Sequence, residues 1–217
     1  MNTENLINKT RLHVEKEMTG DGSGHDWWHV FRVWSIARKL GQAEGADPAT
    51  VELSALLHDI ADWKFNDGDD SAGPKQADEW LRANSAEPKL IDDVCEIIST
   101  LSFKGAGVAT PMRTIEGKVV QDADRLDAIG AVGIARTFAY GGHKNRLMYH
   151  PDESPVLHQS FDDYKKNTGH TINHFHEKLL LLKDRMNTDS AKRVAEKRHL
   201  FMEDYLDQFF KEWNGNA

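Results

Sequence analysis

Apolar positions recur along this chain at intervals of three and four, and no stretch alternates apolar with polar residues long enough to read as a half-buried strand. Leu6, Ile7, Val14 and Met18 mark a first helix that ends in the glycine-rich run from Gly20 to Gly24. Asp26 stands as the N-cap of a second, in which Val30, Phe31, Val33, Trp34, Ala37 and Leu40 line one side until Gly41 and Gly45. Asp47 and Pro48 open a third, with Val51, Leu53, Leu56 and Leu57 apolar before His58 and Asp59. Ala77, Trp80 and Leu81 mark a fourth, and Pro88 starts a fifth through Ile91, Val94, Ile97, Ile98 and Leu101.

Past the loop at 105–111 the pattern is less regular. Val119 and Val120 fit either the start of a strand or a buried approach to a helix, and the small and apolar residues from Leu126 to Tyr140 suit one helix. Residues 141–155, with two Gly and two Pro among polar neighbours, read as the longest loop and as a candidate lid. Two long amphipathic stretches follow, at about 157–186 and about 191–210. The expected fold is all-α, with seven or eight helices packed as one domain over 1–217.

Composition narrows the classes of function. Thirty-five acidic against 27 basic residues leave a formal charge of −8, which argues against a broad electropositive surface for nucleic acid. No run approaches the roughly 20 apolar residues that cross a bilayer, so no membrane association is expected. The first 25 residues carry no apolar core of a secretion signal. Cys95 is the one cysteine, which removes an internal disulfide framework and a cysteine-rich zinc site. A cytoplasmic protein is expected, whose metal, if any, is held by His and carboxylates.

His58 and Asp59 close an apolar helix, where a charged carboxylate is costly unless something compensates it. A divalent cation is one compensation, and neutral imidazole with ionised carboxylate suits such an ion. The dipeptide alone carries little information, but its context adds to it. Upstream, GHDWWHVFRV puts His29 one turn inside the second helix among apolar neighbours. Downstream, VVQDADRLDAIG gathers Asp122, Asp124, Arg125 and Asp127 against apolar flanks. Three separate elements thus offer His, His-Asp and Asp in apolar surroundings.

That order, H…HD…D, resembles the HD-domain metal-dependent phosphohydrolase superfamily. The stretches GHDWWHVFRV, ALLHDIADWKF, VVQDADRLDAIGAVGIAR and TINHFHEKLLLLKDRMNT are most similar to its YpgQ/YedJ-like bacterial branch. The resemblance implies a single HD-domain helical bundle, with core motifs in about 25–130 and a C-terminal helical extension from about 157. It further implies that His29, His58, Asp59 and Asp124 hold one divalent ion, manganese being favoured over nickel, iron, magnesium and cobalt. The implied substrate is a nucleotide, and the implied reaction is hydrolysis of a nucleoside or deoxynucleoside triphosphate to monophosphate and pyrophosphate. The alternatives are hydrolysis of monophosphates or cyclic phosphates, and a non-catalytic nucleotide-binding regulatory module.

Hydrolysis also needs proton transfer and cationic stabilisation of developing charge. Asp62, one helical turn after Asp59, is the candidate general acid or base, with Asp127 competing for the role. Arg125 follows the last candidate ligand, at a position where relatives place a basic residue toward phosphate; its other reading is a salt bridge to Asp122 or Asp127. Lys64, His25, His174 and Lys178 are further substrate-binding candidates, the last two sharing a helical face at i and i+4. The C-terminal helix would cover either its own core or a second copy, so periodicity leaves a homodimer open.

Overall fold

The computed structural model describes residues 2–19, 26–61 and 71–216. Among these it contains ten α-helices, two short 3-10 turns and no strand, confirming the all-α class with more helices than the seven or eight expected. The described residues fall into two compact units, Met1–Phe103 with Ala109–Asp124, and Lys104–Val108 with Arg125–Ala217.

The first unit contains α1 (Thr3–Glu17), α2 (Trp27–Glu44), α3 (Pro48–Leu57), α4 (Ala72–Ala83), α5 (Pro88–Thr100) and α6 (Ile115–Asp127) up to Asp124. Two of its starts follow from the caps written in the sequence. The Asp26 carboxylate accepts from the His29 N–H at 3.0 Å, and the Asp47 carboxylate from the Thr50 N–H at 2.8 Å, with Pro48 in the first turn. Helix α3 lies against α1, α2 and α5. Its Leu53, Leu56 and Leu57 join Leu6, Val14, Trp27, Val30, Leu81, Ile91 and Val94 in one apolar core. Each such side chain removed from water contributes about 1.5–3 kcal/mol. Val119 and Val120, ambiguous in sequence, are fully buried on α6. That helix is tied to its neighbours by Glu116, which accepts from the Asp47 N–H at 2.9 Å, and by buried Gln121, which donates to the Thr110 and Leu101 carbonyls at 3.0 and 3.3 Å.

The second unit contains α7 (Gly130–His143), α8 (Phe161–Lys165), α9 (Thr171–Glu177), the 3-10 turns Leu179–Leu181 and Lys183–Arg185, and α10 (Asp189–Trp213). Three sequence expectations are corrected here. The helix expected from Leu126 to Tyr140 is broken after Asp127 and restarts at Gly130, whose φ of +78° suits glycine. The stretch 157–186 is not one helix but α8, α9 and two 3-10 turns. His170 leaves the regular backbone to cap α9 with its own ring, and Lys178 ends it at φ −140° and ψ −60°. The expected lid at 141–155 begins as helix, since α7 runs to His143, and its later part is tied down. The Thr171 and Ile172 N–H groups donate to the Leu147 and Met148 carbonyls at 2.9 and 3.0 Å, and Asn173 donates to the Glu153 carbonyl at 3.1 Å. The C-terminal stretch is the single helix α10, capped by Thr188. No helix among the described residues is long and apolar enough to cross a membrane.

Candidate metal centre

The first unit brings together four side chains from three elements. His29 lies in the first turn of α2, directly below the Asp26 cap, and is 1% exposed. His58 is the residue at which α3 ends, and Asp59 follows it in a turn. Asp124 projects from α6. The buried, largely apolar body of α3 fixes where its end falls, and so places His58 and Asp59 at the edge of the core rather than in solvent.

The donor atoms converge. His29 Nε2 lies 3.1 Å from His58 Nε2, 3.1 Å from Asp59 Oδ2 and 3.6 Å from Asp124 Oδ1. His58 Nε2 lies 3.6 Å from Asp59 Oδ1 and 3.9 Å from Asp124 Oδ1. His29, His58 and Asp59 each offer a ligand atom within 4.8 Å of the others. Six ligands at about 2.1 Å from an ion stand about 3 Å apart as neighbours and about 4 Å apart as opposites, which is the range seen.

The chemistry of the donors fits a cation as well as their spacing does. His58 Nδ1 donates to the Ala55 carbonyl at 2.8 Å, because a carbonyl can only accept. The ring is thereby fixed with the Nε2 lone pair turned to the other three donors, the arrangement by which an outer hydrogen bond orients a metal-binding imidazole. Lone pairs and two carboxylates facing one another away from water call for positive charge between them. The carboxylates give the way in: the Asp59 side chain is 13% and the Asp124 side chain 31% exposed, against 1% for each imidazole.

The other sequence candidates are placed differently. His25, Asp62 and Lys64 lie outside the described residues. Arg125 is 6% exposed, and its Nη1 donates to the Arg185 carbonyl. Asp127 is buried against Arg136 at 3.0 Å, an ion pair absent from the sequence expectations, which weighed Arg125 as its partner. His174 sits half-buried on α9, but Lys178 is the residue at which that helix stops, so the helical face expected to carry both ends before the second. His170, four residues before His174, accepts from the Asn173 N–H through Nδ1 and donates from Nε2 to the Glu153 carbonyl at 3.2 Å. Its ring is committed to the backbone. Arg136 and Arg185 stand in two of the quoted stretches and were still missed, because both find their partners far along the chain or across a break in the helix.

Comparison with known proteins gives the family. The HD domain family model matches residues 27–129, a span that contains all four donors. YpgQ of Bacillus subtilis (strain 168) is 40% identical over 206 residues, covering 94% of this chain and 92% of its own. Its crystal structure in complex with ADP has a TM-score of 0.73, covering 97% of this chain and all of that one. A Lactobacillus plantarum protein gives a TM-score of 0.89 at 36% identity, over 99% of this chain and 100% of its own. An HD-superfamily hydrolase of Bacillus thuringiensis gives 0.74 at 45% identity, over 98% of this chain and 99% of its own. Matched by the family model across its four converging donors, and by these relatives along nearly its whole length, the chain belongs to the HD domain family of metal-dependent phosphohydrolases.

Proposed function

We propose that this protein hydrolyses nucleoside or deoxynucleoside triphosphates at the α–β phosphoanhydride, consuming one water and releasing a monophosphate and pyrophosphate. The observation that carries the nucleotide part is its likeness, along 97% of the chain, to a relative crystallised in complex with ADP. The four-donor centre supports the hydrolytic part. His29, His58, Asp59 and Asp124 would hold one divalent ion, manganese being the favoured choice. Such an ion supplies a lowered water pKa and a Lewis acid for a phosphoryl oxygen.

The chain's own residues divide the rest of the work. Asp62 takes the proton from the attacking water or returns it to the leaving phosphate. The Asp127–Arg136 pair supports giving that role to Asp62, since a carboxylate already neutralised by a guanidinium at 3.0 Å is a poor base. Arg125 presents positive charge to the phosphates, with Lys64, His25, His174 and Lys178 as further contacts to the nucleotide. The substrate is a small molecule, and the site of action is the cytoplasm.

A panel of ribo- and deoxyribonucleotides, incubated with manganese-reconstituted protein and resolved for every phosphate product, tests the reading. Monophosphate and pyrophosphate in equal amounts are expected, with turnover lost in His58→Ala. Orthophosphate or tripolyphosphate as the product would reject the bond assigned here.

A further inference from the structure

Arg185, in the second 3-10 turn of the second unit, is built into the backbone to an unusual degree. Its Nη1 donates to the Gly105 and Val108 carbonyls at 3.3 and 3.4 Å, and its Nη2 donates to the Ala106 carbonyl. Its own carbonyl accepts from Nη1 of Arg125. Loop 104–108, Arg185 and Arg125 all belong to that unit.

The loop is shaped for this grip. Gly105 adopts φ +119°, and a Cβ there would press on the His158 and Ser160 carbonyls at 3.0 and 3.2 Å. The Gly107 N–H donates to the His158 carbonyl at 3.1 Å, and a Cβ on Gly107 would run into Gln159. Glycine at both positions lets the loop lie close against 158–160 while carbonyls 105, 106 and 108 meet one guanidinium. A planar fork with five donors can span three carbonyls, whereas a lysine ammonium presents a single point of charge. Burial pulls the basicity of the Arg185 guanidinium down, in keeping with a cation held by carbonyl dipoles instead of water.

We propose that Arg185 is the positioning residue for Arg125: by locking loop 104–108 to the turn 183–185, it fixes the carbonyl that sets the direction of the Arg125 guanidinium toward a nucleotide phosphate. The proposal deepens the reading above and rests on its assignment of Arg125 to phosphate. A buried guanidinium held in one direction meets developing charge without reorganising, and pays its rotamer entropy in folding rather than on binding. The side chain that does the holding lies 60 residues away in sequence and touches no substrate itself.

A double-mutant cycle with Arg185→Lys and Arg125→Ala tests it, read by ADP affinity in manganese buffer and, separately, by kcat and KM for a triphosphate. Arg185→Lys is expected to weaken ADP binding about tenfold, and the double variant to bind about as weakly as Arg125→Ala alone, because the second change removes what the first had positioned. Manganese affinity should stay within about twofold of the parent, since none of the four donors is touched. Unchanged ADP binding in Arg185→Lys would overturn the proposal, as would two losses that multiply, or a loss of manganese in step with ADP. Should Arg185→Lys fail to fold, Arg185→Gln, which keeps two donors, is read by the same criteria. Wild-type protein that binds ADP but turns over no triphosphate would end the pyrophosphohydrolase reading while leaving the cycle valid. Wild-type protein that binds no ADP overturns the positioning role.

Discussion

Helix α3 in the first unit and helix α9 in the second are both short and deeply buried, yet different forces hold them. On α3, Val51, Leu53, Ala55, Leu56 and Leu57 are 1% exposed or less, and apart from its ends the helix makes polar contact through Glu52, which accepts from Trp34 at 2.8 Å. On α9, Ile172 and Phe175 supply the apolar contact, while polar groups key the helix to the chain around it. His170 caps its start, Asn173 donates to the Glu153 carbonyl, and buried Glu177 accepts from the Val156 N–H at 3.0 Å and from Asn167 at 2.6 Å. Apolar burial is non-directional and additive, so it makes a stiff platform whose end can carry His58 and Asp59. Hydrogen bonds from side chain to main chain are directional, so they shape loops such as 147–156 that have no period of their own.

The contrast can be broken by substitution, and the largest effect should come from α3. Leu53→Ala removes a side chain at 0% exposure, and a loss of about 2–5 kcal/mol is expected from chemical denaturation. A loss below about 1 kcal/mol would mean that α3 is not the platform described. Glu177→Ala should cost less, about 1–3 kcal/mol, because it removes the buried carboxylate that accepts from the Val156 N–H and from Asn167. Limited proteolysis should then cut first in 147–156; if α3 were released instead, the division of labour would be wrong.

The smallest effect sharpens the comparison through pH. Burial disfavours the charged form of His176 and lowers its pKa, against a smaller upward pull from Glu177. In the window between the lowered folded value and the ordinary imidazole value, the unfolded chain binds more protons than the folded one. Its contribution is therefore complete above the ordinary imidazole range and is lost as pH falls through the folded value. Thermal unfolding of His176→Gln between about pH 7 and pH 5 should show a shallower decline than the parent, by a few degrees at most. Parallel declines would remove His176 as a source of acid sensitivity.

Much of the first unit was legible because its signals are periodic and local. Asp26, Asp47 and Pro48 announced two helix starts, the leucines of α3 announced burial, and the depth of His29 followed from its apolar neighbours. The four donors were nameable because they stand in three short motifs, and the family resemblance ordered them. The second unit hid more. A hydrophobic run from 157 to 186 looks continuous when only apolar spacing is read, yet His170 and Lys178 interrupt it through ring and backbone geometry that spacing does not encode. Arg185 was invisible for a plainer reason: its acceptors are main-chain carbonyls about 80 positions away, and a carbonyl has no letter in the sequence. The same blindness hid that one donor of Arg125 is given to a carbonyl, which fixes the direction of its guanidinium.

Whether His29, His58, Asp59 and Asp124 share one cation is decided by a manganese titration of metal-stripped protein. Wild-type protein and the His58→Ala, Asp59→Ala and Asp124→Ala variants would be followed by calorimetry and elemental analysis. One ion per wild-type chain is expected, with loss of that binding in each variant and the helical signal retained. A His58→Ala or Asp124→Ala protein that binds manganese with wild-type stoichiometry and affinity would contradict it.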